Sequence, residues 1–201
     1  MLALAAGEPE AHADRVVEEI LATVAKLKAV DPEVKPMAFW DFDGTIIRGD
    51  ISTGLQENGV MRHQGMIHAG ILAGFSSVYQ GEAGCRQFDR DYARLNEIGR
   101  FIAWPLIGQM FAGVKVSDFN AFCARRVRDV YSKWYFASSV AIMKRLEAAG
   151  VENHIISGSP TLFVANTAES LGLGTERMHG LSLAVDGGIL STRIEYPVTT
   201  G

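Results

Sequence analysis

The chain has 201 residues, 48% of them hydrophobic and 21% charged, with a formal net charge of −4 at pH 7. A chain of this length and balance buries a real core, in one domain with a large insertion or in two small ones. With so small a charge and no dense Lys/Arg cluster there is no electrostatic footprint for a phosphodiester backbone, so nucleic acid is excluded as the expected partner.

From the N-terminus, Met1–Ala6 is apolar but too short for a signal-peptide core and lacks a basic leader. Residues 12–30 set Val16, Ile20, Val24 and Leu27 at helical spacing, with charges between them and a stop at Asp31-Pro32, which predicts an amphipathic lead-in helix. Pro36 hands over to Met37-Ala38-Phe39-Trp40, a short apolar run that reads as a buried strand, and the acidic loop Asp41-Phe42-Asp43-Gly44-Thr45 follows at once. From Ile51 to Phe136 the chain is rich in Gly, Met and aromatics without a convincing alternating strand, and reads as an all-helical insertion. Its longest apolar stretch, Phe101 to Val114, is about 14 residues and carries Pro105 and Gln109, short of the roughly 20 that span a bilayer, so no membrane span is expected.

A second clean helix follows over 139–149, with Val140, Met143 and Leu146 apolar and Gly150 as its cap. Asn153-His154-Ile155-Ile156 is a second strand and ends in the loop Ser157-Gly158-Ser159-Pro160. Beyond it Val164, Ala168 and Leu171 mark a helix stopped by Gly172. Strand, helix and strand in this order imply an α/β fold with a doubly wound parallel sheet. In the tail, Leu181–Val185 and Ile189–Tyr196 flank Asp186-Gly187-Gly188 as a β-hairpin. The expected organisation is a lead-in helix over 1–35, an α/β core over 36–50 and 137–201, and a helical cap over 51–136. Cys85 and Cys123 stand in no metal-ligand spacing, which fits a reducing, cytoplasmic setting and leaves a single disulfide between them open.

In open α/β sheets ligands bind outside the carboxyl ends of the strands, where both polar loops emerge. Asp41 and Asp43, one residue apart in a tight turn with Gly44, present hard oxygen ligands that suit Mg²⁺. Such a cation also cancels repulsion between an anionic nucleophile and an anionic substrate. Asp-x-Asp-Gly alone is equally the composition of a plain turn. His63, His68, His154 and His179 are scattered without ligand spacing, and Trp104, Trp134, Phe111 and Tyr135 read as cap core rather than as a cage for a quaternary ammonium.

The whole run decides between turn and site. Phe39-Trp40-Asp41-Phe42-Asp43-Gly44-Thr45-Ile46-Ile47 resembles the first signature of the haloacid dehalogenase superfamily, and Ile155-Ile156-Ser157-Gly158-Ser159-Pro160 its second. The resemblance implies a Mg²⁺-dependent phosphatase: Asp41 attacks phosphorus to form an aspartyl-phosphate, and Asp43 serves as general acid and then base. The side chain of Asp41 and the main-chain carbonyl of Asp43 would hold Mg²⁺. Thr45 and Ser157, with N–H groups near Gly44 and Gly158, would cradle the phosphoryl oxygens.

The insertion resembles the cap of phosphoserine phosphatases, which implies a small phosphorylated metabolite as substrate, phosphoserine-like or an amino-alcohol phosphate. Asp50, nine residues after Asp41, stands where that subfamily contacts the substrate amine, usually with Glu; Arg86, Arg90 and Arg94 are candidates to grip a carboxylate. Two elements that the superfamily uses are missing after Ser157. The last Lys is Lys144, and the one later Asp, Asp186, falls in the hairpin turn. The chain therefore reads as the front part of such an enzyme. The alternatives are a catalytically incomplete relative that binds a phosphorylated ligand, or a phosphotransferase on the same fold.

Overall fold

A computed structural model describes residues 8–195. The apolar opening Met1–Ala6 and residues 196–201 lie outside that range. Helix α1 spans Glu8–Val30. Its inward stripe is Val17, Ile20, Leu21 and Val24, while Leu27, predicted to be inward, is 50% exposed. Strand β1, Met37–Trp40, follows.

The insertion opens on two strands rather than a helix. β2 (Gly54–Glu57) and β3 (Val60–Gln64) pair antiparallel around Asn58-Gly59, with φ of 51° and 76°. This corrects the all-helical expectation. Two central residues at positive φ are what a two-residue hairpin turn demands, and Asn-Gly supplies them. Four helices follow: α2 (Met66–Leu72), α3 (Gly81–Ile98), α4 (Arg100–Gln109) and α5 (Val116–Asp129), then a 3-10 turn at Tyr131–Trp134. Helix α6 is Ala137–Ala148 and strand β4 runs Glu152–Pro160. The next crossover is broken into α7 (Thr161–Val164), a 3-10 turn (Ala165–Thr167) and α8 (Ala168–Leu171), closed by Gly172 at φ 74°. After a 3-10 turn at Thr175–Arg177 come β5 (Met178–Leu181), β6 (Leu183–Asp186) and β7 (Ile189–Ile194).

The main sheet is parallel, in the order β1-β4-β5. β5 was not predicted: the run read as one hairpin strand from Leu181 divides at Ser182, with Leu181 paired to Pro160 of β4 and Leu183 to Ile194 of β7. Met143 of α6 and Leu171 of α8 join Ile155 of β4 in one apolar cluster on one side of the sheet. On the other side Met37, Phe39 and Ile156 are exposed, and the rings of Phe39, His154 and His179 line up across the three strands at 5.5 and 5.4 Å.

The insertion shares the core of the sheet. Phe111 of the α4–α5 loop and Phe119 of α5 reach Phe163 of α7 with ring centroids 6.0 and 6.2 Å apart. One buried cluster runs from Phe42 through Phe88 and Phe119 to Leu190, and β7 exchanges main-chain hydrogen bonds with Gly113 and Val114. Those contacts hold α4 and its neighbours over the carboxyl ends of β1 and β4.

Asn153, fully buried, ties strand to helix. Its Oδ1 accepts the Trp40 indole N–H at 2.8 Å, and its Nδ2 donates to the Met143 carbonyl at 3.0 Å and to Glu147 at 2.8 Å. Asn153→Ala strands these partners, and urea denaturation should show a loss of about 2–4 kcal/mol, above the cost of a single hydrogen bond. A loss below the ~1 kcal/mol of one such bond would mean that water replaces the amide.

Candidate active site

At the end of β1 the residues part: Asp41 is exposed, Phe42 is fully buried, and Asp43 turns inward. The Phe42 carbonyl accepts the N–H groups of Ile46 and Ile47 at 2.9 and 3.1 Å, and both isoleucines are fully buried, so the acidic loop is anchored from below. Gly44, at φ 77°, donates its N–H to the carbonyls of Ile47 and Gly49, each at 2.9 Å. Its own amide thus serves the turn, and a phosphate-binding N–H near Gly44 would come from a neighbouring residue. The Thr45 hydroxyl donates to Asp41 Oδ2 at 2.9 Å, leaving Oδ1 as the oxygen outside that bond.

Asp43 is held on both oxygens. Oδ1 accepts the Ile51 N–H at 2.7 Å; Oδ2 accepts the hydroxyls of Ser157 at 3.1 Å and Ser159 at 2.8 Å. Burial, and then the neighbouring charge of Asp50, push its carboxyl up to about 7 against the pull of these three donors. A carboxyl so placed exists in both forms near neutral pH, as a group that gives and later takes one proton must. Ser159 in turn meets Ser52 at 2.8 Å, and its N–H donates to Ser157 at 3.0 Å. Ser157 links β4 to the acidic loop.

These groups open on a cavity of about 200 Å³ lined by Asp41, Asp43, Asp50, Gly158, Ser159 and side chains of the insertion, chiefly Tyr92, Trp104 and Ile107. Asp50 Oδ1 accepts the N–H groups of Ser52 and Thr53 at 2.7 and 2.8 Å, which fixes its carboxylate at the wall. Trp104 lies so close to Gly158 that an added Cβ would meet its ring at 2.8 Å. The Tyr92 hydroxyl, beside it in the lining, is pushed up by burial and by Asp50 while Arg100 opposes.

Arg86 stands apart, exposed and 3.7 Å from Glu82, and Arg90 bonds Gln87 at 2.6 Å. Neither they nor the exposed Arg94 line the cavity. Of the four aromatic residues weighed as a cage, Trp104 alone does; Tyr92, Ser52 and Thr53 went unnoticed in the sequence, and Ser159 was read only as part of the second signature. The polar Ser52-Thr53 pair just after Asp50 was the available signal.

His63 is a core histidine between Tyr131 and Trp134, His68 pairs with Asp89 at 2.8 Å, and His154 and His179 meet at 3.1 Å. Among the described residues no three His, Cys, Asp or Glu side chains gather to hold a metal ion, Cys85 and Cys123 are free thiols, and no helix is long and apolar enough to cross a membrane.

A family model described as haloacid dehalogenase-like hydrolase matches residues 38–195. The chain belongs to this family. No curated protein matches it in sequence. Among solved structures, a protein of unknown function from Bordetella pertussis Tohama I is similar with a TM-score of 0.65 at 15% identity, over 83% of this chain and 69% of that one. Cytosolic 5'-nucleotidase IIIB bound to cytidine is similar with a TM-score of 0.57 at 14% identity, over 83% and 55%. A family hydrolase from Salmonella enterica serovar Typhi has a TM-score of 0.50 at 16% identity, over 90% and 55%. The chain thus spans between 55% and 69% of the length of these structures, and at such identities they share its fold.

For a haloacid dehalogenase-like hydrolase the residues present offer part of a Mg²⁺ site. Asp41 is the exposed carboxylate of a cavity with no Lys, Arg or His among its lining residues, while the carboxyl groups of Asp43 and Asp50 are taken up by internal donors. Mg²⁺ takes one or two protein carboxylates while keeping several waters.

Proposed function

We propose that the protein to which this chain belongs is a Mg²⁺-dependent phosphomonoesterase that works through an aspartyl-phosphate at Asp41, on a small phosphorylated metabolite of the phosphoserine or amino-alcohol phosphate kind. The observation that carries this reading is the pairing of an exposed Asp41 with Asp43, whose carboxyl burial pushes up to about 7. Two carboxyl groups one residue apart with environments this different have separable roles.

Thr45 on Oδ2 orients the Asp41 carboxylate, and Oδ1 attacks phosphorus. Asp43 in its acid form delivers a proton to the departing oxygen, then as carboxylate takes one from the water that opens the aspartyl-phosphate. The Gly158 N–H lies on the side of the phosphoryl oxygens, and the Thr45 and Ser157 hydroxyls, which donate to Asp41 and Asp43 before substrate enters, would have to turn from them to donate there as well. Mg²⁺, held by the Asp41 carboxylate and the Asp43 main-chain carbonyl, would neutralise charge on nucleophile and phosphoryl group. Trp104 and Tyr92 keep bulk water from the reacting atoms.

The test is hydrolysis of 4-nitrophenyl phosphate by the whole protein with Mg²⁺ and with EDTA. Turnover is expected with the metal and a loss of at least ~100-fold without it. Undiminished turnover in EDTA removes the metal from the scheme, and no turnover under either condition removes the enzyme.

A further inference from the structure

Asp43 is held from two directions, and the insertion has a part in both. Ile51, its first residue, puts a main-chain N–H on Oδ1 at 2.7 Å. Ser52, the next, reaches Oδ2 at one remove: its hydroxyl meets that of Ser159 at 2.8 Å, and Ser159 donates to Oδ2 at 2.8 Å. We propose, resting on the phosphomonoesterase reading, that Ser159 is a positioning residue that aims the Asp43 carboxyl at the leaving oxygen, and that Ser52 acts on Asp43 through Ser159.

The hydrogens fix the direction of this chain. A serine hydroxyl has one hydrogen. Ser159 gives it to Asp43, so in the Ser52–Ser159 bond, which either oxygen could donate, Ser52 is the donor. Ser157 is the other hydroxyl on Oδ2, at 3.1 Å, and it is the one that turns to the phosphoryl oxygens in the reading above. Ser159 then remains as the side-chain donor on Oδ2. Ser52 is 2% exposed and Ser159 5%, so bulk water does not stand in for either hydroxyl.

Backbone packing keeps both serines in place. The Ser52 N–H donates to Asp50 Oδ1 at 2.7 Å, and its carbonyl accepts the Ile67 N–H of α2 at 3.0 Å. A Cβ at Gly65 would collide with the Ser52 carbonyl, and one at Gly180 of β5 with the Ser159 carbonyl, so a glycine backs each serine at closest approach. A carboxyl group, by contrast, turns easily about its terminal torsion, where the wells are broad. Without Ser159, Asp43 pivots on the Ile51 bond once Ser157 has turned away. A general acid contributes about 10²–10⁴-fold in rate when it is in place, and a ~1 Å misplacement costs on the order of 10²-fold.

The test is kcat/KM of the whole protein with Mg²⁺ on two substrates: propyl phosphate, whose leaving oxygen needs a proton, and 4-nitrophenyl phosphate, whose leaving group departs without one. Because kcat/KM ends at departure of the leaving group, the later work of Asp43 as a base does not enter it. Ser159→Ala is expected to lower the value for propyl phosphate more than that for 4-nitrophenyl phosphate, by a factor of about ten or more. Ser52→Ala should shift the same ratio in the same direction by less, and the double variant should match Ser159→Ala alone, since the two residues act in series. Should Ser159→Ala not fold, Ser52→Ala carries the comparison between substrates.

If the two substrates lose equally, the serines only hold the insertion on the sheet, and the proposal is overturned while the phosphatase reading stands. If the losses of the single variants multiply in the double one, Ser52 acts by a separate route and the chain through Ser159 is overturned. If the parent hydrolyses neither substrate, the phosphatase reading fails and this inference with it.

Discussion

Asp41→Asn is expected to lower turnover of 4-nitrophenyl phosphate by the whole protein by at least ~10³-fold and to leave no acid-stable phosphoenzyme, because an amide is a far weaker nucleophile than a carboxylate. The fold should survive. Asp41 is exposed, its carboxylate accepts the Thr45 hydroxyl at 2.9 Å, and an Asn oxygen accepts that bond equally well. Circular dichroism and the unfolding midpoint should match the parent within experimental scatter while the labelled aspartate disappears. The loss is read on kcat and kcat/KM together, as befits a group that acts on the transition state. Retention of more than a few per cent of turnover would reduce Asp41 to a turn residue or metal ligand, and the covalent route would have to be given up even though the family assignment stands.

How far the sequence exposes such a site depends on how local its causes are. β1 and the acidic loop were legible as a strand and its exit from the sheet, but the burial expected of the apolar run was not met: Met37 and Phe39 are 53% and 60% exposed, because one face of β1 stays uncovered. The Ser157 loop was legible in the same way, although β4 continues through it to Pro160, where pairing with Leu181 replaces the expected turn. β5 was hidden. Met178-His179-Gly180-Leu181 has no alternation to read, and a single residue, Ser182, separates it from the hairpin strand behind it.

The cavity walls were hidden more deeply. Tyr92 and Trp104 come from two different helices and meet only when these fold over β4, a tertiary event with no local signature. The arginines misled through charge alone. Phe88 and Tyr92 stack at 5.5 Å on the inner side of α3, and Arg86 stands about 160° around the helix from Phe88, where Glu82 is its partner. Face, rather than charge, was the property to follow.

Asp43→Asn is expected to separate two effects that one carboxyl combines. On an alkyl phosphate, whose leaving oxygen must be protonated, the rate should fall by roughly 10²–10⁴-fold, the usual worth of a general acid; on 4-nitrophenyl phosphate, whose leaving group departs without a proton, phosphorylation of Asp41 should be slowed far less. Its breakdown should still be slow for want of a base, so labelled Asp41 should accumulate. The second effect is on stability. Burial, then Asp50, raise the Asp43 carboxyl from 3.8 to about 7 in the folded chain. Between those values the folded state holds a proton that the unfolded state has released. Its stability contribution is therefore fully present below pH ~4 and is lost as the pH climbs through ~7, with a slope approaching ~1.4 kcal/mol per pH unit. In metal-free buffer the parent should lose on the order of 2–4 kcal/mol from this group between pH 4 and 8. Asn carries no proton to lose, and the Ser157 and Ser159 hydroxyls can turn to accept its N–H groups. The variant should accordingly gain on the parent as pH rises and be the more stable of the two at pH 8. Urea denaturation of both proteins in EDTA at pH 5 and pH 8 measures the difference. A stability gap that does not change between the two pH values would show that Asp43 is already ionised in the folded chain at pH 5, and with that the group poised to act first as acid and then as base would be lost.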